Sequence, residues 1–223
     1  MTFHLHRLGY MLNAKKVRRL MSEAKLLNHR YTEHRPVKRV AVSRVIVAAP
    51  NMVWELDIKY IWIQGEGRNV FLLCFEDCFS REMVGYFIGH HCTGSDVSGA
   101  IAEAFHTRGI TEISAVRLRS DNRTQFVCSK VERLLDMMRI HPQTPKEDAH
   151  IESLNSILEK EVIRRFEFSS FEDTKATVGR FIAFYNRGRL HSAIGYQTPR
   201  EVYLKWKKEN TVRQVPAISR SGP

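Results

Sequence analysis

Three carboxylates in this chain stand where acids can do chemistry. Asp57 lies within Trp54-Glu55-Leu56-Asp57-Ile58-Lys59, where apolar and polar residues alternate as in a strand with one face buried. Asp121 follows an apolar strand expected over Ser114 to Leu118, and α/β sites gather at the ends of sheet strands. Glu152 falls near the start of a long helix expected over Ala149 to Arg165. The buried stripe of that helix would be Ile151, Leu154, Leu158 and Val162, which leaves Glu152 on another face with Ser156 and Glu159. If the strands carrying Asp57 and Asp121 are neighbours, the three acids meet at one rim. Clustered carboxylates repel, and the usual relief is a divalent metal; hard oxygen ligands select Mg²⁺ or Mn²⁺. Two such ions activate a water or hydroxyl and stabilise the leaving oxygen of an in-line displacement at phosphorus. Each acid taken singly is an ordinary surface or capping carboxylate, so only the constellation argues for a site.

The elements that must position these acids follow from periodicity. Trp54 to Ile63, Asn69 to Asp77 and Met83 to Gly89 read as three strands. Gly65-Glu66-Gly67 and Ser80-Arg81-Glu82 supply the turns of an antiparallel meander. Ser95 to Arg108 is helical, with Val97, Ile101, Ala104 and Phe105 on one stripe. After the fourth strand come a helix over Ser129 to Met138, a stub of strand at Arg139 to His141, and the helix that carries Glu152. The order β-β-β-α-β-α-(β)-α predicts an α/β fold, a mixed sheet with helices on its faces.

Charge is uneven along the 223 residues, whose formal net charge is +11 and pI about 9.7. Residues 1–50 hold 11 Lys and Arg against 2 acids, residues 51–166 hold 14 against 17, and residues 167–223 hold 10 against 5. The boundaries of the expected domains follow these shifts: a basic arm and linker over 1–50, a core over 51–166, and a basic helical tail over 167–223. Basic arms around an acid-bearing core suit a polyanionic partner, with nucleic acid ahead of a membrane surface. In the arm, Asn13 predicts the cap of a short basic helix carrying Lys15, Lys16, Arg18 and Arg19, and Arg30 to Arg44, with Lys38 and Arg39, reads as an extended linker.

Other classes are excluded or disfavoured. With 43% hydrophobic and 26% charged residues the chain is neither collagen-like nor wholly disordered. No apolar run approaches the roughly 18 residues of a membrane span, and the first ten residues do not read as a signal peptide, so the expected compartment is the cytoplasm. Cys74, Cys78, Cys92 and Cys128 form no Cys-x-x-Cys pair and are expected as buried thiols. His90 and His91 beside Cys92 would point apart on a strand end, which argues against zinc. Trp54, Trp62 and Trp206 are expected in the core rather than stacking bases.

Taken together, several motifs resemble the retroviral-integrase-type catalytic core of bacterial insertion-sequence transposases. They are Trp54-x-x-Asp57 with Tyr60, Asp77-x-x-Ser80-Arg81-x-x-Val84-Gly85, Ser120-Asp121-Asn122 with Gln125-Phe126, and Thr144-Pro145-x-Glu147-x-Ala149-His150-Ile151-Glu152-Ser153. Phe184-Tyr185-Asn186, Arg189-Leu190-His191-Ser192, Gly195-Tyr196 and Thr198-Pro199 continue the pattern, so the resemblance spans residues 8–206. It is strongest to the larger open-reading-frame product of two-frame elements, whose upstream frame supplies a helix-turn-helix partner. The resemblance implies a ribonuclease-H-like fold with a five-stranded mixed sheet, and Asp57, Asp121 and Glu152 as an Asp-Asp-Glu triad holding Mg²⁺ or Mn²⁺, two ions per site. It also implies cleavage and strand transfer on double-stranded DNA, at element ends and target, by a homo-oligomer acting at the bacterial nucleoid. DNA contacts are expected from Lys15, Lys16, Arg18, Arg19, Lys38, Arg39, Lys146, Lys160, Arg187, Arg189 and His191. The tail motif with Arg187, Arg189 and His191 is equally suited to packing the last helix against the core.

Two departures from the family pattern stand out. Asn122 through Ile151 is a run of 30 residues, about five short of the family spacing, and the shortfall falls around Ile140 to Thr144, where the fifth strand is cut short and an active-site loop begins. Arg123 stands where the family usually has Gly, beside Asp121. Such a chain is either a working transposase or a catalytically decayed relic that still binds DNA.

Overall fold

The computed structural model describes residues 1–27, 47–111, 116–120 and 149–213. The chain divides into two compact units, Met1–Val45 and Ile46–Pro223.

The described residues of the first unit hold two helices where the sequence pattern predicts one: α1 (Thr2–Arg7) and α2 (Ala14–Glu23). Six residues without a side-chain cap give α1 no periodicity to read. The Asn13 carboxamide oxygen accepts the Lys16 N–H at 2.8 Å and starts α2. Val17 is buried, while Lys15, Lys16, Arg18 and Arg19 are exposed, Arg19 within 3.5 Å of Glu23. Lys38 and Arg39 lie outside the described residues.

The second unit is built on a mixed sheet. Strands β1 (Val53–Ile63), β2 (Arg68–Asp77) and β3 (Met83–Gly89) form the antiparallel meander, and β4 (Arg117–Ser120) pairs parallel to β1, giving the order β3-β2-β1-β4. The observed fourth strand lies later than the expected Ser114 to Leu118, and the expected fifth, at Arg139 to His141, lies outside the described residues, as does the helix expected over Ser129 to Met138. Four strands are therefore described.

The sheet is buried on both faces. Trp54, Leu56 and Ile58 of β1 join Leu73 and Phe75 under helix α3 (Gly94–Arg108). Ile61 and Ile63 join Val70, Leu72 and Cys74 on the other face. That face is covered by α4 (Ala149–Leu158), a following π-helical turn (Glu159–Ile163) and α5 (Phe171–Arg187). The predicted stripe Ile151, Leu154, Leu158 and Val162 is buried as expected. The uninterrupted helix to Arg165 is not observed: α4 ends at Leu158 and the widened turn follows, with the Arg164 N–H reaching back to the Glu159 carbonyl at 3.0 Å. Hydrophobic spacing is blind to this one-residue slip. It keeps Val162 in the core while Glu161 meets Arg189.

Polar residues fix the joints. The Asp77 carboxylate accepts from Ser80 N–H and O–H at 2.7 Å each and from the Asn51 N–H at 2.6 Å, which closes the β2–β3 turn and holds Arg81 at φ +62. A Thr93–Asp96 capping box starts α3 one residue earlier than the pattern predicts. The Asn186 carboxamide takes the Met83 N–H and donates to the Met83 carbonyl, both at 2.9 Å. Helix α6 (Pro199–Arg213) returns to the core through buried Glu82, which accepts from Arg108 of α3 at 2.9 Å and Arg200 of α6 at 3.2 Å, both guanidinium groups lying over the Tyr203 ring. Cys74, Cys78 and Cys92 are buried free thiols, and burial raises the pKa of each, that of Cys92 to about 11.

Candidate functional site

Strand alternation sends Glu55 and Asp57 of β1 to the face covered by α4, opposite Trp54, Leu56 and Ile58. Asp57 is half-buried, paired with Cys74 of β2 across the sheet, and its carboxylate accepts a hydrogen bond from the Asn155 side chain of α4. Two residues earlier Glu55, 1% exposed, accepts the Ile151 N–H of α4 at 2.8 Å and Arg119 of β4 at 3.3 Å. Strand β1 is thus bonded through side chains to the first turns of α4 and, through both backbone and side chain, to β4.

These contacts decide which expected site residues come together. Ser120 pairs with Leu56, the residue before Asp57, and ends β4. Asp121, next in sequence, lies outside the described residues, as do Arg123, Lys146 and Cys128. Glu152 is in the first turn of α4, between Ile151 and Asn155, the two residues that bond to β1. Its backbone is therefore beside the Glu55–Asp57 segment. Among the described side chains no group of three or more His, Cys, Asp or Glu is placed to hold a metal ion; of the three candidate acids only Asp57 has a described side chain. What is described suits a hard cation: the Asp57 carboxylate, with the buried Asn155 Oδ1 lacking a hydrogen-bond partner close behind it.

A second group of polar side chains lies on the same face, and hydropathy along the chain shows no sign of it. Glu76 of β2 is directly opposite Glu55, is 2% exposed and has one oxygen without a partner. Burial, reinforced by Glu55 and Asp77, raises its pKa well above the ordinary carboxylate range, against the opposing pull of Arg81. A strand read by hydropathy shows only an acid out of phase; the cross-strand Glu55–Glu76 register is what reveals the pair.

The expected DNA-contacting residues fall into two sets. Lys160 and Arg187 are exposed on the π-helical turn and the end of α5. Arg189 instead meets Glu161, and His191 lies edge-on against the buried Tyr185 ring at 4.7 Å. Burial and then the charges of Arg189 and Arg81 lower the His191 pKa to about 4, so it is an uncharged imidazole near neutrality. The three tryptophans, all expected in the core, divide: Trp54 is fully buried against Phe105 and Trp206 is partly buried, but Trp62 is half-exposed rather than a core residue.

Comparison with known proteins supports the resemblance. Residues 47–147 match the model of an integrase core domain, and residues 134–199 match a second model of the same description. The chain is 27% identical over 206 residues to an uncharacterised 31.7 kDa protein of insertion element IS407 from Burkholderia multivorans, covering 90% of this chain and 73% of that protein. It is 25% identical to a 39.2 kDa protein of IS476 from Xanthomonas euvesicatoria, covering 92% of this chain but 59% of the relative. A transposase for IS904 from Lactococcus lactis is 26% identical, with 88% and 83% covered. Among solved structures, the HTLV-2 integrase catalytic core domain in complex with magnesium matches 70% of this chain and 98% of its own, with TM-score 0.55 and 15% identity. A chain of the simian T-cell lymphotropic virus intasome matches 91% and 74%, with TM-score 0.60 and 15% identity. At such identities the structural likeness establishes the fold.

Proposed function

We propose that the chain, which matches integrase-core models over residues 47–147 and 134–199, is an insertion-sequence transposase that cuts a DNA phosphodiester at an element's end and joins the freed 3′-hydroxyl to another DNA strand. It is a polynucleotidyl transferase, so its work is positioning and charge neutralisation rather than covalent catalysis. The observation that carries the mechanism is the junction at which α4 bonds to Glu55 and Asp57 of β1, with β4 ending in register beside them. That junction supports Asp57, Asp121 and Glu152 as one triad.

In this reading the three carboxylates hold divalent metal, two ions of Mg²⁺ or Mn²⁺. Bound by these carboxylates, divalent metal would supply charge neutralisation for the transferring phosphoryl group and activation of the attacking hydroxyl. The Asn155 amide keeps one Asp57 oxygen directed along α4. Lys15, Lys16, Arg18, Arg19, Lys38, Arg39, Lys146, Lys160 and Arg187 neutralise DNA phosphates, while Arg189 and His191, engaged inside the fold, serve packing. The partners are the element ends and the target duplex, a second copy of this chain, and a helix-turn-helix product of an upstream frame. No described helix is long and apolar enough to cross a membrane; the proposed place of work is the bacterial cytoplasm at the nucleoid.

The test is nicking of a labelled duplex bearing the element's end, with Mg²⁺, Mn²⁺ or EDTA. Asp57→Asn, Asp121→Asn and Glu152→Gln each abolish metal-dependent nicking and leave DNA binding intact. Full activity in any of the three overturns the triad. Binding without nicking in the parent chain favours either the relic that the shortened 122–151 run allows or a chain that needs its upstream-frame partner.

A further inference from the structure

One buried side chain touches the neighbours of all three triad positions. Glu55 stands two residues before Asp57 on the same face of β1. One of its oxygens accepts from Arg119, two residues before Asp121; the other accepts the N–H of Ile151, one residue before Glu152. At 1% exposure Glu55 is out of reach of solvent, and the Ile151 residue it holds is 3% exposed. The Arg119 side chain is 14% exposed, so water does little to screen the pair.

We infer that Glu55 is a positioning residue of the proposed phosphoryl-transfer site, a buried carboxylate that sets the separation of β1, which carries Asp57, from the end of β4 and the first turn of α4. The inference rests on the triad reading above. Its physical basis is that β4 and α4 approach β1 from different directions and that the Glu55 carboxylate bonds to both. The described residues of β4 pair with Val53 to Leu56 of β1, and α4 packs through Ile151, Leu154 and Leu158. A single carboxylate with one oxygen on each element ties their spacing together, because moving either end lengthens a charge-assisted or buried hydrogen bond. Glu55 touches no reacting atom. It acts through the geometry of the acids beside it, as groups supporting metal ligands do.

The consequence is a defect in metal affinity and turnover rather than in DNA binding. Glu55→Gln preserves the side chain's size but gives one arm an N–H₂ facing a donor. Supporting groups of this kind are worth about 10–100-fold in metal affinity or rate, and that is the range expected for the Mn²⁺ dissociation constant, read from the free-ion electron paramagnetic resonance signal without turnover, and for kcat. The DNA dissociation constant stays unchanged. Asp57→Asn, measured beside it, abolishes specific Mn²⁺ binding and nicking. Wild-type Mn²⁺ affinity and kcat in Glu55→Gln, with both lost in Asp57→Asn, overturns the positioning role and leaves the triad standing. Unaltered behaviour in Asp57→Asn, or a parent chain that binds no Mn²⁺, overturns the triad and the positioning role with it. Should Glu55→Gln fail to fold, Arg119→Met breaks the Glu55–Arg119 bond and keeps the Glu55–Ile151 one. It weakens Mn²⁺ binding with the circular dichroism unchanged, and Arg119→Lys recovers part of the loss; Mn²⁺ affinity equal to wild type in folded Arg119→Met refutes the inference.

Discussion

Asn186→Ala separates packing from DNA contact in the Tyr185-Asn186 motif. The Asn186 side chain makes two hydrogen bonds with the main chain of Met83, both at 2.9 Å, across a sequence separation of 103 residues. Met83 is 3% exposed and sits beside the register shift between Phe75 and Glu76, where the β2–β3 ladder is irregular. Removing the carboxamide takes away the Asn186 partners of a buried N–H and a buried C=O. At about 1–2 kcal/mol for each abandoned group the loss is about 2–4 kcal/mol. For a unit of this size that corresponds to a fall in Tm of about 5–15 °C. The assay is thermal unfolding by circular dichroism, with fluorescence anisotropy on a labelled duplex well below the transition. The expected result is the Tm loss with an unchanged DNA dissociation constant. A Tm within about 2 °C of the parent, outside that range, together with weakened DNA binding would refute the packing assignment.

Glu76→Gln is expected to stabilise the fold at pH 8 and to make no difference near pH 4. The raised pKa of Glu76 means its stabilising contribution is present below about 4.5 and is lost as pH rises, so the neutral amide gains most in base; thermal unfolding across pH checks it. His191 works in the opposite direction. With its pKa lowered from 6.5 to about 4, stability is retained above pH 6.5 and declines as pH falls towards 4, and His191→Gln flattens that part of the urea-unfolding profile. Gly65→Ala destabilises, because its Cβ would lie 1.9 Å from the Ser169 carbonyl oxygen; the drop in Tm is measured by scanning calorimetry. Replacing Lys15, Lys16, Arg18 and Arg19 by Gln reduces the slope of log K against log salt by about 0.9 for each DNA phosphate left without its cation, and an unchanged slope removes that helix from the DNA interface.

The three strands of the meander and helices α3 and α4 were legible because their signals are periodic. The alternation 54–56–58 against 55–57–59 separated the two faces of β1, and the spacing 151–154–158–162 chose the buried side of α4. Asp57 was legible as an acid on the face opposite a core stripe. What periodicity cannot show is a change of helical type, so the π-helical turn at Glu159–Ile163 was invisible. It equally cannot show which strand lies opposite which, so the Glu55–Glu76 pair had no signature until the register placed one acid against the other.

The same limit explains why the family-like motifs mix two kinds of residue. Asp77 and Ser80 have the residue types of a site, yet both are spent on one turn: both Asp77 oxygens accept main-chain N–H groups, Ser80 adds its hydroxyl, and the peptide at Arg81 bonds back to the Asp77 carbonyl at 2.8 Å, while the Arg81 charge acts on Glu76 and His191. That turn fixes where β3 begins, and Asn186 clamps the same strand at Met83 from the far end of α5. Glu82, between them, holds α3 and α6 by their arginines. The polar residues around β2 and β3 therefore brace the side of the sheet away from β4, whereas Glu55 bonds outward to β4 and α4 and Asp57 to α4. A carboxylate at a strand end thus has two destinations in this fold. Its type and spacing in sequence are the same for both, and only the element that supplies its donors tells them apart.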